Sequence, residues 1–213
     1  MKRIIFLRHG QTINNQSEVA QGFLSPLNLE GLEQASAVVQ RFKDSGAEII
    51  FSSNMIRARD TARVLGRALE IPVIQTGYLR ERLRPTEQSN LSHNSEEFKL
   101  IERNILQNFE LPDYRFSDEE NFEDLKYRSR QIFKIFLESN YHCAIAVTHK
   151  NFMYYLTAFG MFGEELTREQ AFVFITKLHI DNTGMVEFVN QDESPNGWVL
   201  HRWNDHAHVE NKH

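Results

Sequence analysis

The stretch Phe6-Leu7-Arg8-His9-Gly10-Gln11-Thr12 decides the fold, because a buried strand ends here in chemically reactive side chains. The apolar run at 4–7 is typical of a short strand buried on both faces of a parallel sheet. The carboxyl ends of such strands are where open α/β sheets bind ligands. Arg8 carries a planar fork of donors that suits phosphate, and His9 carries a nitrogen that can act near neutral pH. Alone, the stretch is equally compatible with a strand that ends in a solvated polar loop.

The composition is typical of a soluble globular protein. The chain has 213 residues, of which 41% are hydrophobic and 25% are charged, which predicts one large domain or a domain with an insertion. Its net charge of −5 argues weakly against nucleic acid or an anionic membrane as the main partner. Any site for an anion must therefore be a local cluster of cations.

Cysteine usage and the N-terminal residues give further expectations. Cys143 is the single cysteine, which excludes an internal disulfide, and its apolar surroundings predict a buried small side chain. No Cys/His grouping has the spacing of zinc ligands, so no metal is expected. Only four apolar residues follow Lys2 and Arg3, too few for a signal sequence or a membrane span, which favours a cytoplasmic protein.

Short apolar strands alternate with patterns of helical spacing along the chain. Strands are predicted at 4–7, 48–51, 72–74 and 143–147, and helices near 29–45, 55–70, 95–109, 119–138 and 152–159. The segments 172–180 and 185–189 are predicted to pair as a hairpin across Asn182-Thr183-Gly184, which 198–203 extends. The polar tail at 204–213, with His206 and His208, is predicted to be solvated.

This alternation predicts a mostly parallel sheet covered by helices on both faces. His9 and His149 then follow two strands at the same edge, and Glu81 follows a third. Ser52-Ser53-Asn54 is predicted to cap the helix that carries Arg57 in its first turn. A cation there opposes the helix dipole, and a bound anion would resolve the conflict, although a surface arginine remains the alternative.

Five pieces of the chain resemble, in the same order, the motifs of the histidine phosphatase superfamily, which has the phosphoglycerate-mutase-like fold. They are Arg8-His9-Gly10-Gln11-Thr12 with Asn15, Gly22 with Pro26-Leu27 and Gly31-Leu32-Glu33-Gln34-Ala35, the segment from Ser53 to Ala62 around Arg57, Leu79-Arg80-Glu81, and Val147-Thr148-His149 with the later Asn182-Thr183. The resemblance implies a three-layer α/β/α sandwich with a mostly parallel mixed sheet. It also implies a single domain over 1–213, with a cap-like insertion at about 82–122.

The resemblance further implies a mechanism. His9 would attack phosphorus and form a phosphohistidine, and Glu81 would donate a proton to the leaving oxygen. Arg8, Arg57 and His149 would surround the phosphoryl oxygens. Other residues are expected to bind the phosphate or the substrate: Asn15, Gln21, Gly22 and Lys150. No metal ion or cofactor is expected, since the cations supply the charge.

The chain also departs from the family pattern. Gln11 replaces a glutamate, Asp60 a glutamine and Lys150 a glycine, and the family's Gly-x-x-Glu-Gly segment after the acid is absent. We expect a metal-independent phosphomonoester hydrolase acting on a small phosphorylated metabolite or a phosphoprotein. The alternatives are a phosphomutase or phosphotransferase and a non-catalytic phosphate-ligand binder. The resemblance leaves room for a homodimer.

Overall fold

The computed structural model describes residues 1–191 and 196–210. Within these ranges the strands are β1 Arg3–Arg8, β2 Ile49–Ser53, β3 Val73–Thr76, β4 Cys143–Thr148, β5 Met185–Asn190 and β6 Trp198–Asp205. The α-helices are α1 Ile13–Gln16, α2 Leu29–Phe42, α3 Ile56–Leu69, α4 Glu96–Gln107, α5 Phe122–Glu138, α6 Lys150–Phe162, α7 Arg168–Lys177 and α8 Ala207–Glu210. Short 3-10 turns occur at Gly77–Leu79, Thr86–Gln88 and Gly163–Glu165.

One mixed sheet organises these elements, with the strand order β3-β2-β4-β1-β5-β6. The four strands from β3 to β1 pair in parallel, whereas β5 runs antiparallel to β1 and β6 antiparallel to β5. The side chains of β1 alternate between two cores: Phe6 faces the cluster formed with α5 and α6, and Leu7 faces α2 and α3. The predicted three-layer α/β/α sandwich with a mostly parallel sheet is therefore confirmed.

β1 and β4 are neighbours at the centre of the sheet. Arg8 lies opposite Thr148 in the parallel register. The His9 N–H extends the pairing by donating to the Thr148 carbonyl at 3.0 Å. His9 and His149 therefore lie side by side, directly after the ends of β1 and β4, as predicted.

The predicted hairpin between 172–180 and 185–189 is wrong. Residues 168–177 form α7, which begins in a capping box between Thr167 and Gln170. Phe174 and Ile175 pack against the core cluster that contains α6. Capping and packing thus override the β-forming character of these residues. The actual hairpin joins β5 to β6, so the strand predicted at 198–203 is confirmed.

α6 is apolar on almost every side because it is enclosed by other elements. All residues from 152 to 160 are buried, and α6 contacts both α5 and α7. Cys143 is buried at the start of β4, as predicted. Over 1–191 and 196–210, none of the helices combines the length and the apolar character of a membrane span. The cytoplasmic location stays a prediction.

The segment at 82–122 contains the Thr86–Gln88 turn and α4. It is tied to the loop that follows α1, since the Ala20 N–H donates to the Leu91 carbonyl at 2.9 Å and the His93 N–H to the Glu18 carbonyl at 2.8 Å. This segment thus borders the loop that carries Gln21 and Gly22. That it is an insertion acting as a cap stays a prediction.

Candidate active site

His9 is held as a neutral imidazole whose two nitrogens are both engaged in hydrogen bonds. Only 2% of the residue is exposed. Its Nδ1 lies 2.7 Å from the Gly10 carbonyl, which accepts the ring proton, and its Nε2 accepts from Arg57 Nε at 3.2 Å. Burial, followed by the charges of Arg57 and Arg8, holds the pKa of His9 well below its usual range. The Nε2 lone pair is therefore present at neutral pH.

Arg57 contacts this lone pair from the first turn of α3. The predicted cap at Ser52-Ser53-Asn54 is wrong, because the N-cap residue is Met55, without a side-chain hydrogen bond. Arg57 is buried, and one terminal nitrogen donates to the Gly22 carbonyl at 3.0 Å. Burial lowers the pKa of Arg57 to about 10, so the guanidinium remains charged. It is a buried cation and not the surface arginine of the alternative interpretation.

His149 occupies the equivalent position after β4, and its ring centroid lies 5.1 Å from that of His9. Its Nε2 lies 2.9 Å from Ser53 Oγ, which also accepts from the Met55 N–H. We assign the Ser53 hydroxyl proton to the bond with Nε2, and this assignment places the ring proton on Nδ1. That Nδ1 is buried and has no partner among the described residues.

Arg8 approaches the histidines from the end of β1. One terminal nitrogen donates to the Ile180 carbonyl at 2.8 Å, which fixes the guanidinium. The Arg8 Nε atom is buried and lacks a hydrogen-bond partner among the described residues. Burial lowers the pKa of Arg8 to about 10, which leaves the charge in place at neutral pH. Buried unpaired polar atoms are rare in folded proteins, so Arg8 Nε and His149 Nδ1 both point to a bound partner that the described residues do not supply.

Glu81 lies against the N-terminus of α6. One carboxylate oxygen accepts from the backbone N–H groups of Arg82, at 2.8 Å, and Phe152, at 3.0 Å. The other accepts from the Asn151 side-chain amide at 3.2 Å. Arg80, the sequence neighbour of Glu81, pairs with Glu120 at 2.8 Å. In the resting site, Glu81 is the acceptor in all of these hydrogen bonds.

The predicted phosphate-binding residues have different partners in the structure. The Gly22 carbonyl contacts Arg57 directly, and Gln21 beside it has a buried side-chain oxygen without a partner among the described residues. The Asn15 side-chain oxygen accepts from the N–H of Thr12, the N-cap of α1, at 3.2 Å and lies 3.4 Å from the Asn182 amide nitrogen. Lys150 is the first residue of α6, where burial and then the Arg8 charge lower the pKa of its ammonium.

Two contacts in the site were missed in the sequence. Ser53 orients His149, and Thr61 Oγ1 accepts from the Gly10 N–H at 3.1 Å. Ser53, at the end of β2, could have indicated the contact with His149, but the sequence pattern was interpreted as a helix cap. Gly10 also lies so close to Gly31 that a Cβ on Gly10 would approach the Gly31 oxygen to 2.4 Å. These glycines let the loop after β1 pack directly on α2.

The two buried histidines predict that the protein loses stability on the acid side of neutrality. Below about pH 6.5 the unfolded chain protonates both histidines, whereas the folded chain keeps them neutral. The unfolded state then binds more protons, so the free energy of unfolding falls as the pH drops. We expect His9 and His149 to contribute a fall of about 2.5 kcal/mol between pH 7 and pH 5.5. Denaturant titrations at the two pH values measure it.

His149→Gln is the control for this prediction, because it removes one of these two histidines and leaves every other titrating group in place. The fall in stability should then be smaller by about 1.3 kcal/mol. An equal fall in the variant and the wild type would show that His149 does not stay neutral in the folded protein.

Comparison with known proteins agrees with this geometry. A probable phosphatase of Schizosaccharomyces pombe is 26% identical over 99% of this chain and 96% of its own length. A probable phosphoglycerate mutase of Yersinia enterocolitica is 35% identical, but over 38% of either chain.

Solved structures share the fold over nearly the whole chain. A mycobacterial glucosyl-3-phosphoglycerate phosphatase superposes with a TM-score of 0.79 at 23% identity, covering 96% of this chain and 99% of that one. A phosphoserine phosphatase mutant from Entamoeba histolytica gives 0.78 at 20% identity, covering 98% and 100%. The sequence model of the histidine phosphatase superfamily (branch 1) matches residues 4–206. The chain therefore belongs to the histidine phosphatase superfamily.

Proposed function

We propose that this protein is a phosphomonoester hydrolase that works through a phosphohistidine at His9. One observation carries the proposal: the Nε2 lone pair of a neutral, buried His9 lies where two buried cations and a second neutral histidine meet. Phosphoryl transfer is catalysed mainly by positioning and by stabilising charge on the phosphoryl oxygens. The superfamily and the phosphatases among its relatives support this reaction class.

Phosphate matches the hydrogen-bonding capacity that the site leaves unused. Arg8 Nε and His149 Nδ1 lack partners among the described residues. Arg57 is engaged by His9 Nε2 and the Gly22 carbonyl, both acceptors that phosphoryl oxygens can replace. We propose that substrate binding displaces Arg57 from the lone pair and so releases His9 for attack.

The reaction then proceeds in two steps. His9 Nε2 attacks phosphorus as the bond to the ester oxygen breaks, and Glu81 gives its proton to that oxygen. The Nδ1 proton remains bonded to the Gly10 carbonyl, which stabilises the positive ring. Water then attacks phosphorus, Glu81 takes back a proton, and the bond to His9 breaks. Because Glu81 is an acceptor in the resting site, we propose that the proton it donates arrives with the substrate, on the monoanionic form of its phosphate group.

The substrate is proposed to be a small phosphorylated metabolite. The relatives named for glucosyl-3-phosphoglycerate and phosphoserine favour this class over a phosphoprotein. Lys150 is proposed to contact the part of the substrate beyond the phosphate. Its ammonium lies near enough to Arg8, Glu81 and Arg84 for their charges to shift its pKa. A screen of phosphorylated metabolites and phosphopeptides tests the class directly. Release of phosphate from none of them, nor from an aryl phosphate, would favour the non-catalytic binder.

Transfer to an acceptor other than water is the second candidate, and it is favoured by the match to the Yersinia mutase. Incubation with an added alcohol separates the two reactions. Hydrolysis releases phosphate in proportion to substrate consumed, whereas a phosphotransferase places it on the alcohol. A homodimer stays a prediction.

Activity is expected to be insensitive to chelators and inhibited by vanadate. Among residues 1–191 and 196–210, no three His, Cys, Asp or Glu side chains are grouped as a metal site would require. The proposed charge stabilisation comes from Arg8 and Arg57, and vanadate takes up the five-coordinate geometry of phosphorus in the transition state. Phosphate release with and without EDTA measures the first effect. Loss of activity in EDTA, restored by a divalent cation, would contradict metal independence.

A further inference from the structure

Residues 204–210 pack against the turn that precedes β5, so the prediction of a solvated tail is wrong for them, and 211–213 lie outside the described residues. His208 on α8 is half-buried, and its Nε2 lies 2.9 Å from Thr183 Oγ1. The Thr183 hydroxyl donates its own proton to the Asn182 carbonyl at 2.6 Å, so its oxygen is left as an acceptor. Burial lowers the pKa of His208 to about 4, so the ring is neutral and donates through Nε2–H.

Thr183 is the residue through which this contact reaches the nucleophile. It is fully buried, and its φ of 57° lies in the left-handed region, which is unfavourable for a β-branched side chain. Such a conformation persists where surrounding contacts hold it. The His208 ring supplies one of these contacts.

The turn at 182–183 in turn holds the backbone of His9. The Asn182 side-chain amide donates to the His9 carbonyl at 3.0 Å. The Thr183 N–H donates to the Arg8 carbonyl at 3.1 Å and lies 3.4 Å from the His9 carbonyl. A change in this turn is therefore transmitted to the residue that carries the reacting nitrogen.

The C-terminal segment is anchored well enough to act on the turn. The Asn204 side-chain oxygen accepts from the Asp181 N–H at 2.9 Å, and the Asn204 side-chain amide donates to the Asp181 carboxylate at 2.9 Å. Asp205 pairs with Arg41 on α2, and α8 packs against α2. The end of β6 therefore contacts the turn at Asp181, and α8 contacts it at Thr183.

We propose that His208 is a positioning residue, which sets the orientation of His9 by holding the Asn182-Thr183 turn. It does not touch the reacting atoms. The inference rests on the proposed function in taking His9 as the reacting group.

Three variants test the proposal. His208→Leu removes the donor and keeps the volume similar, whereas His208→Gln can place an amide N–H near the original Nε2 position. His201→Leu is the matched control, because His201 is exposed on β6, away from the turn. We expect kcat for phosphomonoester hydrolysis to fall about 10-fold in His208→Leu, with little change in KM, because orientation affects the chemical step. His208→Gln should recover most of the loss, and His201→Leu should behave as the wild type.

Nitrogen-15 NMR of the His9 ring gives a second readout that requires no turnover. The His9 ring signals should shift in His208→Leu and return towards their wild-type positions in His208→Gln. An unchanged kcat with unchanged His9 signals in His208→Leu would overturn the proposal, and so would a Gln variant as impaired as the Leu variant. If the wild type hydrolyses no phosphate ester, the proposed function fails, while the ring signals still decide the role of His208.

Thr183→Val covers the case in which His208→Leu does not fold. It removes the acceptor of the same hydrogen bond, leaves α8 unaltered and keeps a β-branched side chain at the left-handed position. The same shift of the His9 signals is expected. Wild-type signals and wild-type kcat in this variant would also overturn the proposal.

Discussion

His9→Ala is expected to lower kcat for phosphomonoester hydrolysis by about 10⁴-fold or more, as is typical when a covalent nucleophile is lost. The two cations and His149 would still bind phosphate, but no nitrogen would lie where His9 Nε2 now accepts from Arg57. Substrate binding should therefore survive the substitution. Initial rates with an aryl phosphate, together with phosphate binding by calorimetry, measure the two effects separately.

The matched control for this variant is His201→Ala, since His201 is an exposed histidine of β6. It should keep the wild-type rate, and the circular dichroism of both variants should show the native fold. A His9→Ala protein that folds and retains more than about a tenth of the wild-type kcat would contradict nucleophilic catalysis by His9.

Glu81→Gln is expected to slow alkyl phosphates by about 10²-fold or more, and aryl phosphates much less. An alkoxide needs a proton as its bond to phosphorus breaks, whereas an aryl oxide leaves without one. The glutamine oxygen can accept from the Arg82 and Phe152 N–H groups as Glu81 does. Its amide would then face the Asn151 side chain, which can turn over to accept.

Glu87→Gln is the control for the acid, because Glu87 is exposed and bonds to Ser117 at 2.7 Å. It should leave the ratio of alkyl to aryl rates unchanged. Equal losses on both substrate classes in Glu81→Gln would show that Glu81 is not the leaving-group acid in the rate-limiting step. If Glu87→Gln changed the ratio instead, Glu87 would be the acid.

The sequence predicted the sheet and the proximity of His9 and His149 because both depend on local patterns. Short apolar strands that end in polar triplets determine where His9 and His149 lie, and parallel pairing brings them together. The sequence also placed Arg57 in the first turn of a helix, where a cation opposes the helix dipole, and this conflict indicated an anion site.

The missed features depend on contacts between distant segments. The β-forming residues of α7 became helical because α6 offered an apolar surface next to a capped start. The role of Ser53 depends on where His149 lies, nearly a hundred residues later. The contact between His208 and Thr183 likewise joins the last helix to a turn before β5. Neither periodicity nor local propensity reports such pairings.

Trapping the covalent intermediate tests the central claim most directly. The enzyme would be mixed with substrate, quenched in alkaline denaturant, which preserves phosphohistidine, and mapped by mass spectrometry. We expect phosphate on the peptide that contains His9, attached to Nε2, since Nδ1 is bonded to the Gly10 carbonyl. The modification should disappear after acid treatment and be absent from His9→Ala. If the enzyme turns over substrate but its phosphate is found on His149, or on no histidine, the proposed mechanism is contradicted.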